Sequence, residues 1–305
     1  MTIIGHKRQR DLLSAMATSA EIPHAMLFEG PSQLGKKTLA LEFVGKLLCE
    51  KGVGCGLCRS CIALGKASHP DVALISSRGK EIQIDQIREL VRGFSLKPYS
   101  APFKVAIIDD AHLMNRESQN SILKLLEEPG GNSIMILVTD YPESLLSTVR
   151  SRTRRMAFFP VSDSDINSYL RERGCDESLS KEITLFSFGK PGLAMEFLSE
   201  SIKIGARRGK IKEFLGVISP GAPFRDRFEY VKDLAEDSEK TEESLKMWLS
   251  YFRALMIKKV EGNKGIVYSL PRIKYSLEAI GESIDLVSRT NTNKKMVLEK
   301  LIMEL

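Results

Sequence analysis

The stretch that most restricts the fold of this chain is a glycine-flanked loop between a short apolar run and a helical run. Residues 25–28 are apolar, Gly30-Pro-Ser-Gln-Leu-Gly35-Lys36 follows, and residues 39–44 carry apolar side chains at helical spacing. Glycines let backbone N–H groups turn around phosphate oxygens, and a helix N-terminus and a lysine add positive charge there. Strand, loop and helix in this order predict a phosphate-loop fold.

Four more strand-like runs follow in the first half of the chain, separated by helical patterns. They are short, apolar and rich in β-branched residues, and they cover residues 72–75, 105–108, 134–138 and 156–159. Short strands that alternate with amphipathic helices are typical of a parallel sheet covered by helices. The sequence therefore predicts an α/β domain with a five-stranded parallel sheet.

The strand signals end near residue 160, and helical patterns continue from there. A Gly-Lys-Pro-Gly segment at residues 189–192 breaks them, and a charge-rich stretch covers residues 199–212. We expect three domains: the α/β domain at 1–160, a small helical lid at 161–205 and an all-α domain at 206–305.

Two features of the loop region weaken a nucleotide-hydrolysing site. A Ser or Thr that binds Mg²⁺ normally follows the loop lysine, but Lys37 stands there, and Thr38 lies about 100° further around the helix. Asp109 and Asp110 follow the third strand. In nucleotide-hydrolysing proteins the first carboxylate here orients Mg²⁺ and the next residue is a Glu that polarises the attacking water. Asp110, which is one methylene shorter, stands in place of that Glu. We expect either a scaffold retained for its shape or a weak nucleotide site, with ATP and Mg²⁺ weakly bound or absent. The residues expected at this degenerate phosphate site are Gly30, Gly35, Lys36, Thr38 and Asp109.

Four of the five cysteines lie close together in the sequence. Gaps of five, two and two residues separate Cys49, Cys55, Cys58 and Cys61, and glycines between them permit tight turns. Clustered cysteines in a reducing compartment indicate a metal site more than a disulfide framework. Four thiolates fill the tetrahedral shell of zinc, so we expect a structural zinc site with these ligands. An iron–sulfur cluster and a thioredoxin-like redox pair are the alternatives.

Three segments together resemble the bacterial clamp-loader subunits of the AAA+ class. They are the glycine loop, Ile107-Ile-Asp-Asp-Ala-His112 and the block Asn120-Ser-Ile-Leu-Lys-Leu-Leu-Glu-Glu-Pro129. The resemblance spans roughly residues 3–200 and is greatest to the delta-prime type of DNA polymerase III subunit. It implies an AAA+ fold with a zinc module, a helical lid and a C-terminal collar. It also implies a five-subunit ring, with gamma/tau and delta subunits, that loads a sliding clamp on primed DNA.

One arginine is expected to act outside its own subunit. In this family each ATP site is shared, and the next subunit supplies the arginine of a Ser-Arg-Cys motif. Arg152 occupies that position, with Thr153 in place of the cysteine. The resemblance implies a catalytic role in trans, in which Arg152 stabilises the charge that develops at a neighbour's γ-phosphate. The alternative is a solvated basic cluster with Arg150, Arg154 and Arg155.

A further departure separates this chain from the motor subunits of the family. Motors place a lid arginine against their own nucleotide, and Gly192 stands at the matching position. Lys37, Asp110 and Gly192 thus weaken the chain's own site, while Arg152 is kept. We expect a stator that braces the ring and has no intrinsic ATPase activity. The alternatives are an ATP-hydrolysing motor of the gamma/tau type and a DNA-binding module.

Charge and hydropathy set weak limits on partners and location. The net charge of +6 and the pI near 9.0 permit contact with nucleic acid but do not indicate it. The longest apolar runs are strand-sized, and charged residues stand near the start, where a signal peptide has its apolar core. We therefore expect no membrane segment and a cytoplasmic location.

Overall fold

The computed structural model describes residues 3–19, 21–77, 79, 81–94, 96–129, 131–260, 262, 265–289 and 292–305. The chain divides into two units. The first comprises Met1–Tyr169 and Gly189–Leu193, and the second comprises Leu170–Phe188 and Ala194–Leu305. The division into domains at 1–160, 161–205 and 206–305 stays a prediction.

The first unit contains a five-stranded parallel sheet, as the sequence predicts. Its strands are β1 (Ala25–Glu29), β2 (Val72–Ile75), β3 (Lys104–Ile108), β4 (Ser133–Thr139) and β5 (Arg154–Ala157), in the order β2-β3-β4-β1-β5. The last strand lies earlier in the chain than the predicted run at 156–159. It pairs with β1 from Met26↔Arg154 to Glu29↔Ala157, and as an edge strand it accommodates the exposed side chains of Arg154 and Arg155.

Helices make up most of the rest of the chain. In chain order they are α1 (Lys7–Ser19), α2 (Lys36–Leu48), α3 (Arg59–Gly65), α4 (Ile84–Phe94), α5 (Arg116–Glu127), α6 (Ser147–Arg150), α7 (Asp163–Glu172), α8 (Glu177–Ser187), α9 (Pro191–Ser199), α10 (Ser201–Val217), α11 (Phe224–Ala235), α12 (Ser238–Val260), α13 (Leu270–Arg289) and α14 (Lys294–Glu304). Short 3₁₀ helices cover Ala111–Leu113 and Pro142–Ser144. Among the described residues, no helix combines the length and the apolar character that a membrane span requires.

Both faces of the sheet are buried. Successive side chains of a strand point to opposite faces, so Met26 and Phe28 join one apolar cluster while Ala25 and Leu27 join the other. The first cluster includes residues of α1 and α2, and the second includes residues of α4 and α5. Because helices cover both faces, the three central strands β1, β3 and β4 are buried along nearly their whole length, as is typical of parallel sheets.

The described part of the second unit contains helices and the loops between them, and no strand. Its core holds Trp248, whose indole stacks on Phe214 with 4.2 Å between ring centroids and 10° between ring planes. Phe252 meets Phe214 edge-on at 6.3 Å, and all three side chains are buried. Buried aromatic rings contribute large apolar areas, so this cluster stabilises the helical unit.

The turn from β1 into the glycine loop requires glycine. Gly30 has a φ of 141°, a backbone conformation that residues with a Cβ rarely adopt. A Cβ at this position would lie 2.3 Å from the carbonyl oxygen of Phe158. Phe158 is fixed in turn, because its N–H donates to the carbonyl oxygen of Glu29 at 2.7 Å. The loop therefore begins in close contact with the chain that leaves β5.

We expect Gly30→Ala to destabilise the protein much more than Gly35→Ala. Both glycines have positive φ, but a Cβ at Gly35 would meet no heavy atom within 4 Å. The Gly35 substitution should cost only the left-handed backbone strain of about 1–2 kcal/mol. The Gly30 substitution adds a clash with fixed backbone and should cost about 3 kcal/mol or more.

Urea unfolding of the two variants beside the parent chain measures this difference. Equal losses in the free energy of unfolding would show that the contact with Phe158 relaxes and does not fix the start of the loop.

Candidate phosphate-loop pocket and metal centre

A pocket of about 300 Å³ lies where β1, β3 and β4 end. The carboxyl ends of parallel strands meet at one edge of a sheet, which is where α/β proteins commonly bind ligands. The loop between β1 and α2 forms one wall, and carboxylates that follow β3 and β4 form another. The lining residues are Ser32, Gln33, Leu34, Gly35, Lys36, Lys37, Thr38, Asp109, Asp110, Val138, Asp140 and Gly192.

The ammonium group of Lys36 is bound within the protein. The side chain is only 4% exposed, and its Nζ donates to the carbonyl oxygens of Gly30 at 2.6 Å and Pro31 at 2.7 Å. Its third contact is Asp140, whose Oδ1 lies 2.8 Å away. An ammonium has three protons, so these acceptors use its full capacity. Lys36 therefore offers no proton to a phosphate in this arrangement.

Lys37 forms a second ion pair at the mouth of the pocket. Its Nζ lies 2.9 Å from Oδ2 of Asp109, the carboxylate predicted to orient Mg²⁺. An ammonium group thus occupies a position beside Asp109 that a dication would use. Burial raises the pKa of Asp110 above its ordinary value, and the negative charge of Asp109 adds to this effect. Burial also lowers the pKa of the nearby His112.

The loop makes further backbone contacts within the first unit. The N–H of Gly192 donates to the carbonyl oxygen of Gln33 at 2.8 Å. A Cβ on Gly192 would lie 3.0 Å from that oxygen, so a larger residue would have to push the loop aside. His6, the residue directly before α1, donates from Nε2 to the carbonyl oxygen of Leu34 at 2.9 Å. Burial lowers the pKa of His6. The loop is therefore held from two sides.

The structure brings the predicted phosphate-site residues together and adds one that sequence analysis misses. Lys36, Thr38 and Asp109 line one pocket with Gly35, and Gly30 begins the loop. The missed residue is Asp140, which stands directly after β4. Because β4 lies between β3 and β1, its carboxyl end lies beside the loop that follows β1. An acidic residue two positions after the predicted strand at 134–138 is the signal that could have identified it.

Arg152 lies on the surface of the first unit, after α6. Its guanidinium pairs with Oε1 of Glu127 at 2.6 Å and donates to the carbonyl oxygen of Thr148 at 3.1 Å. The Arg152 side chain is 36% exposed and that of Glu127 is 49% exposed. Arg152 is not one of the described residues that line the pocket. The guanidinium is thus accessible from outside and is not directed into the chain's own pocket.

The other arginines of the basic cluster have different partners. Arg155 makes a two-pronged contact with Glu29, at 2.9 Å from Nε to Oε2 and 2.9 Å from Nη2 to Oε1. Hydrogen bonding to Glu29 raises the pKa of Arg155. Arg150 pairs with Glu143. Arg150 and Arg155 are thus each bound to a carboxylate of another segment.

The four predicted metal ligands converge at one point. The Sγ atoms of Cys49, Cys55, Cys58 and Cys61 all lie within 4.8 Å of one another. Tetrahedral zinc with bonds of about 2.3 Å places its sulfur ligands about 3.8 Å apart, so the arrangement fits one ion. Cys49 follows the last residue of α2, and Cys58 precedes the first residue of α3. These cysteines could hold a metal ion between the two helices.

Backbone hydrogen bonds prepare part of this cluster for a thiolate. The N–H of Cys55 lies 3.3 Å from Sγ of Cys49, and this contact is the largest of several hydrogen bonds that together lower the pKa of Cys49 to about 5. Burial has the opposite effect on Cys61 and raises its pKa to about 12. A bound cation would favour the thiolate form of every ligand. The cluster is suited to a closed structural site with four sulfur ligands.

The fold and the loop together define the class of protein. A parallel sheet in the order β2-β3-β4-β1-β5, with a glycine loop between β1 and α2 and carboxylates after β3, is the phosphate-loop arrangement of AAA+ proteins.

A family model described as DNA polymerase III, delta subunit, matches residues 5–162, just over half of the chain. The chain belongs to this family.

Curated relatives agree with the family assignment. DNA polymerase III subunit delta' of Pseudomonas aeruginosa is 35% identical over 155 residues, 49% of this chain and 47% of the relative. The Bacillus subtilis subunit delta' is 33% identical over 162 residues, 52% and 49% of the two chains. DNA polymerase III subunit gamma of Buchnera aphidicola is 29% identical over 227 residues, 70% and 62% of the two chains. The chain spans about half the length of the two delta' relatives.

We expect Cys61→Ser to weaken Zn²⁺ binding by more than about 100-fold, because even loss of a group that only supports a ligand costs about 10- to 100-fold. Competition with a chromophoric zinc chelator measures the affinity. Cys175→Ser is the matched control, since Cys175 is also a free thiol but is not one of the four clustered cysteines. Equal weakening in both variants, or no stoichiometric Zn²⁺ in the parent chain, would contradict a four-cysteine metal site.

Proposed function

We propose that this chain is a delta-prime-type stator of a DNA polymerase III clamp loader, with no ATPase activity of its own. In this role it braces the ring and lends Arg152 to the ATP site of a neighbouring subunit. The main observation behind the proposal is a contrast between two cations: Lys36 is buried and fully bound inside its own pocket, whereas Arg152 is exposed.

The state of the chain's own pocket supports the absence of turnover. Phosphoryl transfer depends on a free loop lysine, a bound Mg²⁺ and groups that position water. Here Lys36 is paired with Asp140, and Lys37 is paired with Asp109. A degenerate phosphate site formed by Gly30, Gly35, Lys36, Thr38 and Asp109 therefore serves to hold the fold, with ATP and Mg²⁺ weakly bound or absent.

The ion pair of Arg152 supports a role in trans. A pair between exposed side chains stabilises a protein by only about 0.2–1 kcal/mol. Arg152 and Glu127 are both substantially exposed, so the guanidinium exchanges this partner for a phosphate at little cost. Beside a γ-phosphate an arginine supplies charge stabilisation and two-pronged hydrogen bonds that a lysine cannot supply.

The remaining parts of the proposal follow from the family. The partners are gamma/tau and delta subunits in a pentameric ring, and through the ring the sliding clamp and primed DNA. The metal at the four cysteines is structural zinc, and the location is the cytoplasm, where clamp loading takes place. The helical residues 206–305 would form the collar and residues 161–205 the lid.

We expect Arg152→Ala to slow the ATP site that receives it by about 10³-fold or more, the range known for arginine fingers. Reconstituted clamp loader containing the variant should therefore lose the share of ATPase activity that belongs to this site, and clamp loading should fall. Arg152→Lys should lose nearly as much, because it keeps the charge but not the planar fork. The measurements are ATP turnover and clamp loading on primed DNA.

Arg154→Ala is the matched control for this experiment. Arg154 lies two residues away and is also exposed, so its removal changes the local charge equally. Unchanged turnover with Arg152→Ala, or equal losses with both variants, would reject a specific role for Arg152. ATP hydrolysis by the isolated chain that is abolished by Lys36→Ala would instead favour a motor of the gamma/tau type.

A further inference from the structure

The carboxylate of Asp140 lines the pocket but is not one of the residues expected at the degenerate phosphate site. It stands directly after β4, it is 21% exposed, and it pairs with the buried ammonium of Lys36 at 2.8 Å. Each of the other two pocket carboxylates, Asp109 and Asp110, follows β3. Asp140 follows a different strand, and its carboxylate contacts the same ammonium that donates to the two loop carbonyls.

The contacts of Lys36 show what Asp140 replaces. Two of its protons go to carbonyl oxygens of the loop itself, those of Gly30 and Pro31. The third goes to an anionic oxygen that the chain supplies. In a phosphate loop the lysine donates to phosphate oxygens, which are also anionic. The Asp140 carboxylate thus gives Lys36 the kind of partner that a nucleotide would give it.

The charge of the pocket acts in the same direction. Two lysines and three aspartates line it, so its formal charge is negative when all five groups are ionised. A polyanionic nucleotide gains little from such a pocket, and it must also break the pair between Lys36 and Asp140.

We propose that Asp140 is an internal ligand of the phosphate loop, and that its pairing with Lys36 keeps a nucleoside di- or triphosphate out of the pocket. Asp140 is a positioning residue: it acts by holding the lysine. The proposal extends the part of the proposed function that denies this chain nucleotide turnover. It concerns nucleotide binding by the chain alone, so it can fail while the role of Arg152 in the ring stands, and the reverse also holds.

The test is calorimetric titration of the full chain with MgATP and with ADP. Asp140→Asn keeps the size of the side chain and removes its charge. Nucleotide then has to break a hydrogen bond from the ammonium to an uncharged amide oxygen and not an ion pair, so we expect binding to become tighter by about 10- to 100-fold. The double variant Asp140→Asn with Lys36→Met should lose this gain, because the gain requires the released ammonium.

Asp109→Asn is the matched control. It makes the same change in charge within the same pocket but leaves the pair between Lys36 and Asp140 intact. A gain confined to Asp140→Asn supports the proposal. No gain in affinity with Asp140→Asn overturns the proposal. An equal gain with Asp109→Asn also overturns it, because net charge alone would then explain the exclusion of nucleotide.

Amine labelling tests the proposal on the parent chain itself, so this measurement does not require that a variant folds. Acetylation of the parent chain followed by peptide mass spectrometry compares Lys36 with Lys37, whose side chain is 47% exposed. We expect Lys36 to react at least about 10-fold more slowly, and faster in Asp140→Asn if the pair is what protects it. Equal labelling of the two lysines in the parent chain would show that Lys36 is not held, and would overturn the proposal.

Discussion

The buried ammonium of Lys36 is the constraint on which the pocket depends. A charge removed from water must be paired and hydrogen-bonded, because an isolated buried ion is highly unfavourable. A nucleotide site meets this need with phosphate, whereas this chain meets it with Asp140 and two loop carbonyls. The ammonium of Lys36 therefore has its charge paired and its three protons bound by groups of the protein itself. The hydrogen bonds from Gly192 and His6 to the carbonyl oxygens of Gln33 and Leu34 hold the same loop from outside.

Much of this architecture could be predicted from the sequence, because apolar periodicity and glycine placement act locally. The five strands, the loop and the convergence of the four cysteines all follow from short-range patterns. The register of β5 could not be predicted, since it depends on pairing with β1, more than a hundred residues earlier in the chain. The pairing of Lys36 with Asp140 was missed for a similar reason: the two residues are 104 positions apart.

Two residues that differ from the pattern of nucleotide-hydrolysing relatives, Lys37 and Gly192, each make a contact that explains more than the lost group does. Lys37 looks like the mere loss of a hydroxyl ligand, yet its ammonium lies 2.9 Å from the carboxylate that Mg²⁺ would use. Gly192 looks like the mere loss of an arginine, yet its backbone approaches the loop so closely that a Cβ would lie 3.0 Å from Gln33. At both positions the residue present makes a close contact with another part of the pocket.

The metal cluster is separated from this chemistry by the length of one helix. Cys49 directly follows α2, and Lys36 is the first residue of that helix. Thirteen residues at 1.5 Å each place the cysteines about 20 Å from the loop. At that distance a closed four-sulfur site does not take part in phosphate chemistry, and it has no open position with which to do so. A metal bound there would fix the C-terminal end of α2, whose apolar residues Leu39 and Phe43 belong to the core on one face of the sheet. Such a metal would therefore support the helix that begins at the phosphate loop, whether or not the pocket holds a nucleotide.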